Sequence, residues 1–132
     1  MPAFLDASVL IRYLADDPPA MAERAQRLIE SNTELQVTET ALIETSYVLL
    51  RTYGLARAAI VDLLIDLLQR RNIAVHQMDK RMVITALLLC RPSGRVSFGD
   101  ALIWAAARGA GAATVYSFDR RFPADGLELR LP

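Results

Sequence analysis

The sequence is poor in the residue types that several common kinds of site require. Cys90 is the only cysteine among 132 residues, so an internal disulfide and a zinc ribbon are both excluded. Cys90 ends an apolar run, and we expect it to pack as a small core residue. His76, the only histidine, has no motif around it and is assigned a structural or surface role.

Net charge and long apolar segments are also lacking. Fifteen basic and fifteen acidic residues cancel, which argues against a nonspecific nucleic-acid binder. All the basic residues except Lys80 are arginines, a bias that gene composition explains as readily as phosphate binding does. No apolar run reaches the roughly 18 residues of a membrane span, and no basic segment precedes the first apolar stretch. The sequence therefore predicts a cytoplasmic protein.

The residues that are present indicate one globular α/β domain, residues 1–132. Hydrophobic residues make up 53% of the chain, enough for an independent core. Short apolar segments alternate with segments of helical periodicity, which predicts a mainly parallel sheet of four to five strands. The predicted strands are 3–5, 35–37, 73–75, 113–116 and 127–129, and the predicted helices are 9–14, 21–29, 39–53, 56–70, 82–89 and 98–109.

The predicted helix 56–70 is apolar around most of its circumference. Val61 and Ile65 widen its apolar stripe, and only Asp62 and Asp66 are clearly polar in its middle turns. Such a helix is either buried on two sides within one chain or covered by a partner, and we expect a partner.

Four carboxylates lie in apolar segments, where an unneutralised charge is costly. Two of them follow predicted strands, one opens a predicted helix, and one lies inside a helix. In parallel α/β folds the ligand crevice lies beyond the carboxyl ends of the strands, where these elements converge. Carboxylates without histidine or cysteine suit Mg²⁺, with Mn²⁺ as a substitute. The four residues are Asp6, Glu44, Asp100 and Asp119.

Each carboxylate also has a purely structural interpretation. Asp6 can cap a helix, Asp119 can stabilise a turn, and Asp100 completes a capping box with Ser97. Glu44 has mostly apolar helical neighbours, so its side chain is predicted to face inward, where a basic partner is the structural alternative.

Polar residues near these acids are candidates for support and substrate contact. Ser8 and Ser117 each lie two residues from an acid and could orient a carboxylate or a water, although capping and turn bonding are the plainer roles. Arg95 is the best candidate for contact with a phosphate because it lies close to the helix that carries Asp100. The other arginines near the acids are Arg91, Arg120 and Arg121.

Four short blocks carry a family resemblance over essentially the full length. They are LDASVL at 5–10, ALIE at 41–44 followed by VL at 48–49, FGDALI at 98–103, and SFDR at 117–120. In this order they resemble the PIN-domain ribonucleases, and specifically the toxin of a VapBC toxin–antitoxin pair. The chain has Ala7-Ser8 where threonine-asparagine is common in that family, and Ser117 where threonine is usual. Neither departure removes a carboxylate.

The resemblance implies both a fold and an activity. The fold is a three-layer α/β/α sandwich that forms a homodimer. The activity is magnesium-dependent hydrolysis of RNA phosphodiester bonds, inhibited by a cognate antitoxin protein that inserts a segment into the active-site groove. The family's acidic positions correspond to Asp6, Glu44, Asp100 and Asp119, with the first and third expected to hold the ion directly.

Other classes with clustered acids fit less well. A receiver domain needs a lysine near its last strands, but the only lysine is Lys80. A haloacid-dehalogenase-type phosphatase needs an aspartate where Ser8 stands. The remaining alternative is a noncatalytic α/β binding module whose acids are helix caps and ion pairs.

Overall fold

The computed structural model describes residues 2–112 and 114–132. The described strands are short, three residues each, and they alternate with longer helices. The elements are β1 (Ala3–Leu5), α1 (Ala7–Ala15), α2 (Pro19–Ile29), β2 (Leu35–Val37), α3 (Glu39–Arg51), α4 (Arg57–Leu68), β3 (Ile73–Val75), α5 (Lys80–Cys90), α6 (Phe98–Gly109), β4 (Thr114–Tyr116) and β5 (Glu128–Arg130). The first three strands have their predicted bounds. Ala113, the predicted first residue of the fourth strand, lies outside the described residues.

The chain divides into two compact units, one ending at His76 and the other running from Gln77 to Pro132. The single domain that the sequence predicts for residues 1–132 stays a prediction. None of the helices within residues 2–112 and 114–132 is both long enough and apolar enough to cross a membrane.

The first unit is built on a parallel three-stranded sheet, in the order β1-β2-β3. Its register places Leu5 beside Val37 and Val37 beside Val75, and all three side chains are buried. The three carboxyl ends are therefore level, and each is followed directly by a polar residue. Asp6 and Thr38 use this position to cap α1 and α3.

The second unit contains the helix pair α5 and α6 and a two-stranded parallel sheet of β4 and β5. The predicted sheet of four to five strands is therefore wrong, because the main sheet has three and β4 pairs with β5. The period of apolar residues identifies a strand, but it does not specify the neighbour to which the strand's backbone bonds. Strands of three residues carry little side-chain pattern that could select a partner.

Helix boundaries follow the predicted signals to within a few residues. Thr38 caps α3 by accepting a hydrogen bond from the Ala41 amide at 3.1 Å. Pro19 opens α2, where its missing N–H costs nothing. α3 ends at Arg51, slightly before the predicted end at Tyr53. α1 begins at Ala7, two residues before the predicted start of that helix at Val9.

The apolar surface of α4 is largely buried within the chain. Its inward face consists of Ile60, Val61, Leu64, Leu67 and Leu68. The flanking residues Leu63 and Ile65 are half-buried. The chain itself therefore covers much of the surface that the sequence assigned to a partner, and the partner stays a prediction.

Candidate functional site

Asp6 is exposed and serves as the N-cap of α1, as its structural interpretation predicted. Its Oδ2 accepts hydrogen bonds from the Ser8 hydroxyl at 2.6 Å and from the Ser8 amide at 3.1 Å. The hydroxyl contact, reinforced by the amide, lowers the pKa of the Asp6 carboxyl below its usual value. Ser8 therefore orients a carboxylate and lowers its pKa, the more specific of the two roles considered for it.

Ser8→Ala should raise the pKa of Asp6 toward the usual aspartate value, because the hydroxyl donor is lost while the amide donor remains. Above the pKa that Asp6 has in the unfolded chain, its hydrogen-bonded carboxylate stabilises the folded protein. This contribution disappears as the pH falls through the lower pKa that Asp6 has in the folded state. The variant should therefore lose less stability than the wild type over that acidic range.

NMR titration of the Asp6 carboxyl carbon measures the pKa. Ser31→Ala, which removes a hydroxyl bonded to a backbone carbonyl, is the control. An unchanged Asp6 pKa in Ser8→Ala would contradict the assigned cause.

Glu44 is exposed, so the prediction that its side chain faces inward is wrong. The buried face of α3 is formed by Ala41, Leu42, Thr45, Ser46 and Leu49. Two of these five residues carry hydroxyls, which made the true inward face look polar in the sequence. Glu44 lies on the other side of the helix, where solvent stabilises its charge and no basic partner is required.

The Asp100 side chain is half-buried in the first turn of α6. Its amide donates to the Ser97 hydroxyl at 3.0 Å, so Ser97 is the N-cap, as the capping-box interpretation predicted. The reciprocal half of a capping box is missing: within the described ranges, no hydrogen bond or ion pair reaches the Asp100 carboxylate. Of the four candidate acids, Asp100 is thus the one that combines partial burial with an unpaired carboxylate.

Asp119 is exposed and stabilises its own turn. Its Oδ1 accepts from the Arg121 amide at 2.8 Å and lies 3.7 Å from the Arg121 Nε. Its amide donates to the Ser117 hydroxyl at 3.0 Å. Ser117 thus orients the backbone of Asp119, whereas Ser8 orients the carboxylate of Asp6. The turn interpretation of Asp119 and Ser117 is confirmed, and it leaves the second carboxylate oxygen available for another ligand.

The four acids are divided between the two units. Asp6 and Glu44 belong to the first unit, and Asp100 and Asp119 to the second. Across residues 2–112 and 114–132, no group of three or more histidine, cysteine, aspartate or glutamate side chains is close enough to hold a metal ion. The four-carboxylate site therefore stays a prediction. The donor chemistry is still suitable for Mg²⁺, because oxygen ligands and the partly buried, unpaired Asp100 favour a hard cation.

The residues considered mainly structural behave as expected. Cys90 is fully buried, and its thiol lies 3.6 Å from the Ser97 carbonyl. The His76 ring is half-buried and meets the Phe4 ring edge-on, with centroids 4.9 Å apart.

Sequence reasoning missed one local assembly in the second unit. A cavity of about 500 Å³ there has Arg95, Arg120 and Arg121 in its lining. The sequence placed these arginines near the candidate acids but gave no sign that two distant segments join them. The signal available was only the density of arginine on both sides of α6.

A comparison with family models identifies the class of protein. The model of the PIN domain matches residues 3–125, so this chain belongs to the PIN domain family. PIN domains are generally nucleases that use divalent metal ions. No curated protein matches the chain.

Proposed function

We propose that this PIN domain is a magnesium-dependent endoribonuclease, and that it is the toxin of a type II toxin–antitoxin pair. Membership of the PIN domain family supports the nuclease activity. The observation that carries the assignment to this site is the half-buried Asp100 carboxylate, which has no hydrogen-bond or ion-pair partner in the described part of the chain. Both oxygens of such a carboxylate are available to a hard cation.

In this proposal Asp6 and Asp100 hold Mg²⁺ directly, and Glu44 and Asp119 bind it directly or through water. When bound, the ion supplies positive charge that polarises the scissile phosphate and lowers the pKa of an attacking water. Ser8 lowers the pKa of the Asp6 carboxyl and fixes its orientation through the 2.6 Å bond. Mn²⁺ has the same preference for oxygen ligands and should replace Mg²⁺.

The test is cleavage of a pool of structured RNAs by the purified protein. Products should form with Mg²⁺, disappear with excess chelator, and return when Mg²⁺ or Mn²⁺ is restored, because the carboxylates alone supply only negative charge toward the phosphate. Adding chelator and metal to the same sample controls for loss of folded protein. Undiminished cleavage in chelator, or no cleavage with either metal, would overturn the proposal.

A noncatalytic binding module is the second candidate, and two contacts favour it. Asp6 caps α1 and Asp119 bonds to its own turn, so both acids already have structural roles. Calorimetric titration with Mn²⁺ separates the two candidates. Binding that is lost in Asp6→Asn supports the nuclease, and absence of binding by the wild type supports the module.

The toxin role carries two further proposals about partners, a cognate antitoxin protein and a second copy of the chain. Both rest on the sequence resemblance to VapBC toxins. The half-buried apolar residues on the flanks of α4, Leu63 and Ile65, offer additional apolar surface to a dimer partner.

A further inference from the structure

A cavity of about 500 Å³ lies in the second unit, between the loop joining α5 to α6 and the segment joining β4 to β5. Its volume is within the usual range for sites that bind small molecules. Arg95 comes from the first segment, and Arg120 and Arg121 come from the second. All three side chains are exposed, so their guanidinium groups are accessible to a ligand.

The cavity has a basic character that the neutral chain as a whole does not show. Among the described residues that line the cavity, Asp125 is the only acid, against three arginines. Arg121 is partly neutralised by Asp119, whose Oδ1 lies 3.7 Å from its Nε. Arg95 and Arg120 form no ion pair with any residue that the structure describes. Two guanidinium groups therefore remain available for an anion, and their planar donor sets match phosphate oxygens.

The walls behind the arginines are apolar. Phe122, Pro123 and Val96 are buried, and the half-buried Leu89 and Leu129 extend the same lining. A ligand that fits such a cavity combines an anionic group at the arginines with a flat, less polar part against the walls. A nucleotide of a single-stranded nucleic acid has this combination.

The backbone of the segment 120–125, which lines one side of the cavity, is held by hydrogen bonds at both of its ends. The Asp125 carbonyl accepts from the Trp104 indole N–H at 2.9 Å and from an Arg108 guanidinium N–H at 3.0 Å. At the other end of the segment, the Phe122 amide donates to the Asp119 carbonyl at 3.1 Å. A cavity fixed in this way loses little conformational entropy when it binds a ligand.

We infer that this arginine cavity, lined by Arg95, Arg120 and Arg121, binds a nucleotide of the RNA strand next to the bond that is cut. The inference rests on the proposed nuclease function. Asp119, a proposed metal ligand, begins the turn that supplies Arg120 and Arg121 and contacts Arg121 directly, so a nucleotide in the cavity lies beside this one proposed ligand. The bound phosphate fixes the strand, and the apolar walls receive the base.

The test measures binding of a short fluorescein-labelled single-stranded RNA by fluorescence anisotropy, with chelator present to prevent metal-dependent cleavage. Arg95→Gln and Arg120→Gln should each weaken binding by about tenfold at low salt. Each should also reduce the slope of log affinity against log salt by about 0.7, the value for one lost phosphate contact on a single strand. Arg27→Gln is the matched control, because Arg27 is exposed on α2 and belongs to the other unit.

Two further ligands test what occupies the cavity. An abasic strand of the same length should bind the wild type more weakly than the RNA does, and equal affinity would overturn the assignment of the walls to a base. A labelled oligoglutamate peptide should bind weakly and without dependence on Arg120. If instead the peptide binds through Arg120 and the RNA does not, the cavity recognises acidic protein and the inference is wrong.

Failure of this inference is distinguishable from failure of the proposed function. If the wild type cleaves RNA with Mg²⁺ but both arginine variants bind it as tightly as Arg27→Gln does, only the cavity assignment falls. If the wild type neither binds nor cleaves RNA, both fall. The three substituted residues, Arg27, Arg95 and Arg120, are all exposed. Thermal unfolding of the variants should therefore match that of the wild type, which would show that any change in binding is local.

Discussion

Asp100→Asn should reduce magnesium-dependent RNA cleavage by about a thousandfold, because it removes one anionic ligand of the proposed ion. An ion that stabilises charge at a phosphate contributes several kcal/mol to the transition state, and about 4 kcal/mol corresponds to about a thousandfold in rate. The amide side chain has nearly the same shape, and no hydrogen bond to the carboxylate is lost because the described structure records none. The measurement is the rate of cleavage of the RNA pool at saturating Mg²⁺.

The same variant should fold as well as the wild type in the absence of metal. The carboxylate loses a favourable interaction with the positive end of α6, worth about 0.3–1 kcal/mol. The opposite effect comes from burial. In the wild type a charge without a protein partner is partly removed from water at this position, and the uncharged asparagine avoids that cost. The two effects have opposite signs and similar size, so the thermal midpoint without metal should change little. Added Mg²⁺ should raise the midpoint of the wild type more than that of the variant.

Glu39→Gln provides the matched control for charge at a helix start. Glu39 is the acidic residue in the first turn of α3, so its substitution removes the same kind of helix-dipole interaction. It should leave cleavage unchanged within about twofold, since it is not a proposed ligand. Full activity in Asp100→Asn would remove Asp100 from the proposed site, and equal losses in both variants would point to a stability effect.

The local structure of the chain was largely predictable, because it depends on residues close in sequence. The strands at 3–5, 35–37 and 73–75 are short and mostly apolar, and their bounds were correct. Thr38 and Ser97 were recognisable as helix caps, because a hydroxyl before a helical segment satisfies an otherwise unbonded amide. Strand pairing depends on tertiary packing that the pattern of a three-residue strand does not encode, which is why the pairing of β4 with β5 was missed.

The error at Glu44 has a specific physical origin. The inward face of α3 contains Thr45 and Ser46, both buried, so helical periodicity of apolar residues pointed to the wrong side of the helix. Ser46 offsets its burial by donating to the Ile43 carbonyl at 2.7 Å. The Thr45 hydroxyl has no partner in the described structure, at a cost of about 1–3 kcal/mol. A polar residue that is buried at such a cost leaves no signal in a hydrophobicity pattern.

The candidate site was predictable one residue at a time but not as an assembly. The sequence identified Asp6 and Asp100 from their positions after a strand and at a helix start, and the structure places them there. Which carboxylates remain unpaired depends on side-chain contacts such as the Ser8 hydroxyl on Asp6. The arginine cavity depends on the packing of two loops separated by all of α6.

Trp104→Ala should be the most destabilising of the substitutions considered, lowering the free energy of unfolding by about 3–5 kcal/mol. Trp104 is only 2% exposed, and its indole N–H donates to the Asp125 carbonyl at 2.9 Å. Its ring also lies 5.6 Å from the Arg108 guanidinium carbon, within range of a cation–π interaction. Truncation therefore removes apolar contacts and this interaction, and it leaves the Asp125 carbonyl with the Arg108 bond alone.

Two controls separate the contributions to this loss. Trp104→Phe retains a buried ring but removes the N–H donor, and it should cost about 1–2 kcal/mol. Ile103→Ala changes the preceding residue of α6, which is 49% exposed, and should cost less than about 1 kcal/mol. Urea denaturation gives the free energies. A loss in Trp104→Ala no larger than that in Ile103→Ala would show that Trp104 does not anchor the segment 119–125. Trp104→Phe should also weaken RNA binding, because it removes one of the two hydrogen bonds that hold the Asp125 carbonyl at one end of the arginine cavity.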